Sequence, residues 1–268
     1  MLRLPAVAGR FYPSQAGELR ELVLRCAAAQ PGAERARVRA CLVPHAGYVY
    51  SGAVAGAVYA RIALPRRMVL LGVRHQPRGA NAAILSSGAW RTPLGDAPVD
   101  AALAAALRAA CPLLREDEAA HRSEHSLEVQ LPFLQVLAPE FSFVPVVLGT
   151  LRFEELAQIG EGLRRVLAAE PDVLLVATSD LNHYEDDATT RVKDAKAVER
   201  LLARDARGLF EVCLREEISM CGLGPAVALL TALGALEAPC AELVRYATSA
   251  EVSGDRNTVV GYAGMVFG

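Results

Sequence analysis

The chain has 268 residues, 53% apolar and 22% charged, with a formal net charge of −2. That composition supplies a large core and excludes the low-hydrophobicity, high-charge class that stays disordered. Both charge signs are interspersed, so no basic stripe of the kind that neutralises phosphates is present, and nucleic acid is not an expected partner. The local excess at Arg35, Arg37 and Arg39 lacks interleaved aromatics and reads as a solvated approach to a strand.

The opening MLRLPAVAGRFYP is interrupted by Pro5, Gly9 and Pro13, so it lacks the apolar run of a signal peptide. No stretch reaches the ~20 apolar residues that span a bilayer. Both features point to the cytoplasm and to no membrane partner. The six cysteines (Cys26, Cys41, Cys111, Cys213, Cys221 and Cys240) form no CxxC pair, which fits neither a disulfide framework nor a zinc finger.

In chain order, Leu19, Leu22, Val23 and Cys26 mark a helix by their three- and four-residue steps. Apolar runs at Ala40–Val43, Met68–Leu71 and Ala82–Leu85 read as strands buried on both faces. Ala101–Ala110 is a strong helix former. Leu127, Leu131 and Leu134 mark another helix. The run Phe143–Leu148 is a strand, the stripe Leu151, Leu156, Ile159 and Leu163 a helix, and Val173–Ala177 and Thr258–Tyr262 are further strands. Alternation of the two types predicts one α/β domain over residues 1–268, a three-layer α/β/α sandwich with a mixed or mostly parallel sheet. Ligands of such sheets sit beyond the carboxyl ends of the strands, which directs attention to the residues just after each run.

Three of the five histidines occupy that position: His45 in VPHAGY, His75 in GVRH and His183 in DLNH. Asp180, three residues before His183, could orient an imidazole or bind a metal, or it could cap the following turn. Cys221 lies in SMCGLGP ahead of a helix expected to begin near Pro225, where a helix N-terminus lowers a thiol's pKa and favours the metal-binding thiolate; a buried structural cysteine is the plainer alternative. The segment HRSEHSLEVQ offers a rival, because His121, Glu124 and His125 match the HxxEH pattern of inverted zincins, with two zinc-binding histidines and a glutamate base. Its plain alternative is a polar helix start. GLG at 222–224 and VSGD at 252–255 fall short of nucleotide-binding loops, and no GxSxG elbow is present.

PAVAGRFYP (5–13), VPHAGYVYSG (43–52), LLGVRH (70–75), EHSLEVQLPFLQ (124–135), TSDLNHY (178–184), MCG (220–222) and SGD with the following VVGYA (253–263) resemble, in order, the blocks of the Memo-like family. In bacteria and archaea its members are labelled protein B of the AmmeMemoRadiSam system. The resemblance implies a fold like that of class III extradiol dioxygenases, whose iron(II) is held by two histidines and a carboxylate. It makes His45, His75 and Cys221 the metal residues, with Asp180 and His183 in the same pocket and His183 as acid or base; the site as a whole is expected to be flanked by Asp180, His183 and His125, with Asp180 fixing the His183 tautomer. Two departures stand out: Gln76 follows His75 where the family often has a second histidine, and a thiolate replaces the dioxygenase carboxylate. Soft sulfur shifts preference from oxygen-activating iron(II) toward copper or zinc.

The expectation is thus a mononuclear non-haem site for iron(II) or copper, with zinc as a third choice, in a dioxygenase-like oxidoreductase of unspecified substrate. The alternatives are a catalytically inactive metal- or peptide-binding protein and, third, an HxxEH zinc peptidase. Expected partners are a small molecule or peptide in the pocket and other AmmeMemoRadiSam components, with homo-oligomerisation left open.

Overall fold

The computed structural model describes residues 1–28, 35–234 and 240–268. The first third holds strand β1 (Leu2–Arg3), helix α1 (Ala16–Ala27), β2 (Ala40–Val43), α2 (Tyr48–Arg61), β3 (Arg67–Val73) and β4 (Ala82–Ile84). Next come β5 (Ala89–Thr92), β6 (Gly95–Pro98), α3 (Ala101–Ala110), β7 (Arg115–Glu116), α4 (Leu131–Leu137), β8 (Ser142–Leu148) and α5 (Phe153–Ala169). The remainder is β9 (Val173–Thr178), β10 (His183–Glu185), α6 (Asp187–Leu202), α7 (Ala206–Arg215), α8 (Leu223–Leu233), β11 (Ala241–Thr248), α9 (Ala250–Ser253) and β12 (Val259–Phe267).

The main sheet runs β10-β12-β2-β9-β3-β8-β4-β7, with β11 paired to β12. Its centre, β2-β9-β3-β8, is parallel throughout, and β12 and β4 flank it antiparallel. This is the mixed, mostly parallel sheet that the apolar runs predict. A small second sheet, β1-β5-β6, lies apart. Alternation along each central strand divides the side chains between two cores. Leu42, Leu71, Val146 and Leu175 face a cluster with α3, α5, α6, α7 and α8; Cys41, Leu70, Val147 and Val176 face one with α1, α2 and α4. Asp100, Asp186 and Asp205 cap α3, α6 and α7 by accepting from the amides of Leu103, Thr189 and Gly208.

Most boundaries agree with the pattern, and the exceptions have local causes. Leu151 is 59% exposed and precedes α5, whose buried stripe starts at Leu156. Leu127 is buried in the turn before a 3₁₀ segment, Glu128–Gln130, so α4 starts only at Leu131. The last run continues to Phe267 because β12 is the shared partner of β2, β10 and β11. Cys26, Cys41, Cys111 and Cys213 are buried small hydrophobes, and all six cysteines are free. Among the described residues no helix is long and apolar enough to cross a membrane.

The N-terminal strand is locked to the body by Glu128. Its carboxylate is fully buried and pairs with the Arg3 guanidinium, while accepting from the Ala6 and Val7 amides and from the Tyr12 hydroxyl at 2.5 Å. Removing one partner of such a pair strands the other charge in the interior, at a cost of about 3–5 kcal/mol. Glu128→Gln is therefore expected to lower the unfolding free energy by about that amount in urea titrations; a loss below about 1 kcal/mol would show that Arg3 finds another partner.

Candidate metal centre

Parallel register delivers the first three side chains. Val43 pairs with Thr178 and Leu71 with Ala177, so β2, β9 and β3 end side by side. His45, Asp180 and His75 each lie two residues beyond the end of their strand. Asp180 Oδ1 accepts from the His45 amide at 2.8 Å, and Gln130 Nε2 donates to the Pro44 carbonyl at 3.0 Å, which together fix the turn that presents His45.

Cys221 arrives from the other side, immediately before the α8 N-cap, Gly222. A Cβ at Gly222 would fall 2.3 Å from the Thr178 carbonyl oxygen and 2.4 Å from Ser179 Cβ. Glycine thus lets this segment touch the end of β9, where the Gly222 amide donates to Ser179 Oγ at 2.9 Å. The sulfur ends 3.1 Å from His45 Nε2 and accepts from the Asp180 amide at 3.3 Å. Helix α8 begins at Leu223 rather than near Pro225, and the expected lowering of the thiol pKa is not found: burial, reinforced by the Asp180 carboxylate, pushes it up.

His125 joins the cluster. Its ring stacks on His75 at a centroid distance of 4.4 Å and lies 5.7 Å from His45 and 4.9 Å from Phe11. Burial, helped by the neighbouring imidazoles, holds His45 down to about 3 and His125 down to about 4. Both rings are consequently neutral near pH 7, the form that ligates metals.

Glu124 has a different job from the one the HxxEH pattern assigns. Residues 121–123 form a turn and 124–125 are irregular, with no helix, so the two histidines do not stack one helical turn apart. His121 is buried against Trp90 at 6.0 Å with Nδ1 2.7 Å from the Asp117 carbonyl, and among the described residues it belongs to no group able to hold a metal. Glu124 instead accepts from the His75 and Ser126 amides at 2.8 and 2.9 Å and holds His75 Nδ1 at 2.9 Å. Burial opposes its ionisation, but the hydrogen bond and charge of His75 and the Ser126 amide outweigh it and bring the carboxyl down to about 2. A carboxylate on Nδ1 fixes the tautomer and leaves Nε2 as the ligand atom, the usual arrangement around metal-binding histidines. The zinc-peptidase geometry is therefore not formed.

His183, the first residue of β10, is not oriented by Asp180. Its Nδ1 lies 3.0 Å from the Ser219 carbonyl, and its amide donates to Ser219 Oγ at 2.8 Å. Ser219 is in turn held by Asn182 Oδ1 at 3.1 Å. Ser219 and Arg3 are contributors that pattern reading misses. Arg3 donates to the His121 and Glu124 carbonyls, far along the chain, and nothing in its local sequence signals that.

Three groups of side chains place one ligand atom each within 4.8 Å of one another: His45, His75 and Cys221; His75, Glu124 and His125; and Asp180, His183 and Cys221. A sulfur ~2.3 Å and an imidazole nitrogen ~2.0–2.1 Å from one ion lie ~3.5–3.6 Å apart at the tetrahedral angle and ~3.1 Å apart at a right angle. The 3.1 Å between Cys221 Sγ and His45 Nε2 is a hydrogen-bond contact that matches the right-angle value and falls a few tenths of an ångström short of the tetrahedral one.

An α/β sheet whose strand ends converge on histidines and one cysteine defines a class of candidate metalloproteins. Within it, residues 3–266 match the model of the Memo-like protein family, and the chain belongs to that family. It is 41% identical to a MEMO1 family protein of Methanopyrus kandleri over 281 aligned positions, covering 100% of this chain and 99% of the relative. MEMO1 family proteins of Methanosarcina barkeri and Aquifex aeolicus are each 39% identical, with 99% of both chains covered. Among solved structures, an uncharacterised protein of Escherichia coli K12 superposes with a TM-score of 0.54 at 13% identity, over 86% of this chain and 100% of that one. The last likeness concerns fold alone.

The tight approach at Gly222 is directly testable. Gly222→Ala is expected to lower stability by about 1–3 kcal/mol, because backbone at the end of β9 must move. Thermal unfolding reads this as a drop in Tm; an unchanged Tm would mean that the Cys221 segment is free to shift.

Proposed function

We propose that the chain is a non-haem metal protein with a mononuclear centre on His45, His75 and Cys221, acting as an oxidoreductase on a small substrate. The observation that supports it is the 3.1 Å contact between Cys221 Sγ and His45 Nε2, with His75 in the same ligand group and turned toward it by Glu124. Iron(II) or copper suits the oxidoreductase role, and zinc suits the donor set equally well.

When bound, the ion would supply a Lewis acid and, if iron or copper, an electron-transfer partner. The chain's own residues would do the rest. His183 has its Nδ1 proton engaged by the Ser219 carbonyl, which leaves Nε2 free to take a proton from a bound substrate and return it. Asp180 holds the His45 turn through the backbone amide. His125 and Phe11, in ring contact, would shape the wall of the pocket and limit water. The cytoplasm is the proposed compartment.

A second reading has an observation of its own. Val49 and Tyr50, at the start of α2 just past His45, are 63% and 40% exposed, and Tyr184, next to His183, is 76% exposed. An apolar rim of this kind fits a peptide or another AmmeMemoRadiSam component, with the pocket as a recognition site. On this reading Cys221→Ala keeps partner binding.

Elemental analysis of anaerobically purified wild type, His45→Ala and Cys221→Ala decides the matter. The proposal expects near-stoichiometric metal in the wild type and loss in both variants, with folding retained by circular dichroism. Wild type that holds no metal and resists reconstitution would overturn it in favour of the recognition reading.

A further inference from the structure

The proposed centre leaves the third ligand group, Asp180, His183 and Cys221, without a metal role. Three features of this group are those of a ligand site. His183 has Nδ1 against a carbonyl oxygen, which carries no hydrogen, so Nδ1 must be the protonated nitrogen and the Nε2 lone pair is left over. His75 is prepared in the same way by Glu124. An oxygen acceptor behind each imidazole is the outer-shell pattern that orients metal ligands. Asp180 is 6% exposed and spends Oδ1 on the His45 amide; Oδ2 receives no protein donor among the described residues and is not one of the fully buried, unpartnered atoms. A carboxylate oxygen that no protein group engages is available as a cation ligand. Finally, Cys221 is the member common to this group and the His45–His75 group, so one sulfur is within reach of both.

From this geometry we propose a second cation subsite on Asp180, His183 and Cys221, with the Cys221 thiolate bridging two divalent first-row transition-metal ions. The inference rests on the reading that the His45–His75–Cys221 group holds the first ion. Cys221 loses its proton to solvent when the first ion binds, and the same sulfur then offers a lone pair to the second. Nitrogen, sulfur and carboxylate donors together suit borderline cations of the zinc and cobalt type and not magnesium or calcium. In the two-metal state His183 Nε2 is a ligand; it is available as a proton carrier only when the second subsite is vacant.

Anaerobic titration of the metal-free full-length chain with cobalt(II) alone tests this, read by equilibrium dialysis and by sulfur-to-cobalt charge-transfer absorption. Wild type should retain two equivalents, with charge-transfer absorption growing across both. Asp180→Asn, which keeps an acceptor for the His45 amide, and His183→Ala should each retain one. Saturation of the wild type at one equivalent would overturn the second subsite while leaving the proposed function standing, whereas retention of none would remove both. Two equivalents that survive in the Asp180→Asn and His183→Ala variants, or a second equivalent without added charge-transfer absorption, would place the extra ion elsewhere and overturn the bridge.

Discussion

The site depends on the turn segment that runs from Glu124 to Gln130. Two buried carboxylates anchor it in opposite directions. Glu124 reaches toward the sheet and holds the His75 backbone and ring, and Glu128 reaches toward the N-terminus and holds Arg3, Ala6, Val7 and Tyr12. Arg3 closes the loop by donating to the carbonyls of His121 and Glu124. The segment also packs hard on β3: a Cβ at Gly72 would meet Ser126 Oγ at 2.6 Å and the Leu127 side chain at 2.7 Å. A residue near the start of the chain is thereby mechanically coupled to an imidazole of the candidate metal group. Buried charges are expensive when unpaired, and here each carboxylate has several donors, so the cost of burial is offset while the geometry is fixed.

The electrostatics of the pocket follow from the same burial. Imidazoles deprived of water stay neutral, a thiol deprived of water stays protonated, and Glu124 is anionic only because its donors converge on it. Neutral rings with exposed lone pairs await a cation, and a thiol gives up its proton once one arrives. The end of a parallel sheet suits this purpose, since neighbouring strands finish at one level and their next residues face a shared crevice.

Much of this was legible from the residues. The apolar runs located the central strands within a residue or two, and the strand-end rule picked out His45, His75, Asp180 and His183 because parallel strands in register make their following residues neighbours. Cys221 needed the family resemblance, as its own surroundings describe a buried thiol equally well. What local pattern misjudged was orientation. Glu124 matched a zincin base by spacing alone, yet the chain there turns instead of coiling, which sends His121 to Trp90 and Glu124 to His75. Asp180 was cast as the partner of His183, but three residues past a strand the chain has already turned, and a carbonyl from the Ser219 segment takes that role. Arg3 and Ser219 act through contacts more than thirty residues away in sequence, where periodicity carries no information.

The central claim is that one sulfur and imidazole nitrogens share an ion. X-ray absorption at the metal edge of the loaded protein tests it most directly. A sulfur shell at ~2.3 Å together with nitrogen or oxygen at ~2.0–2.2 Å is the expected spectrum, and the sulfur shell should vanish in Cys221→Ser. A spectrum fitted by nitrogen and oxygen alone in the wild type would contradict the account.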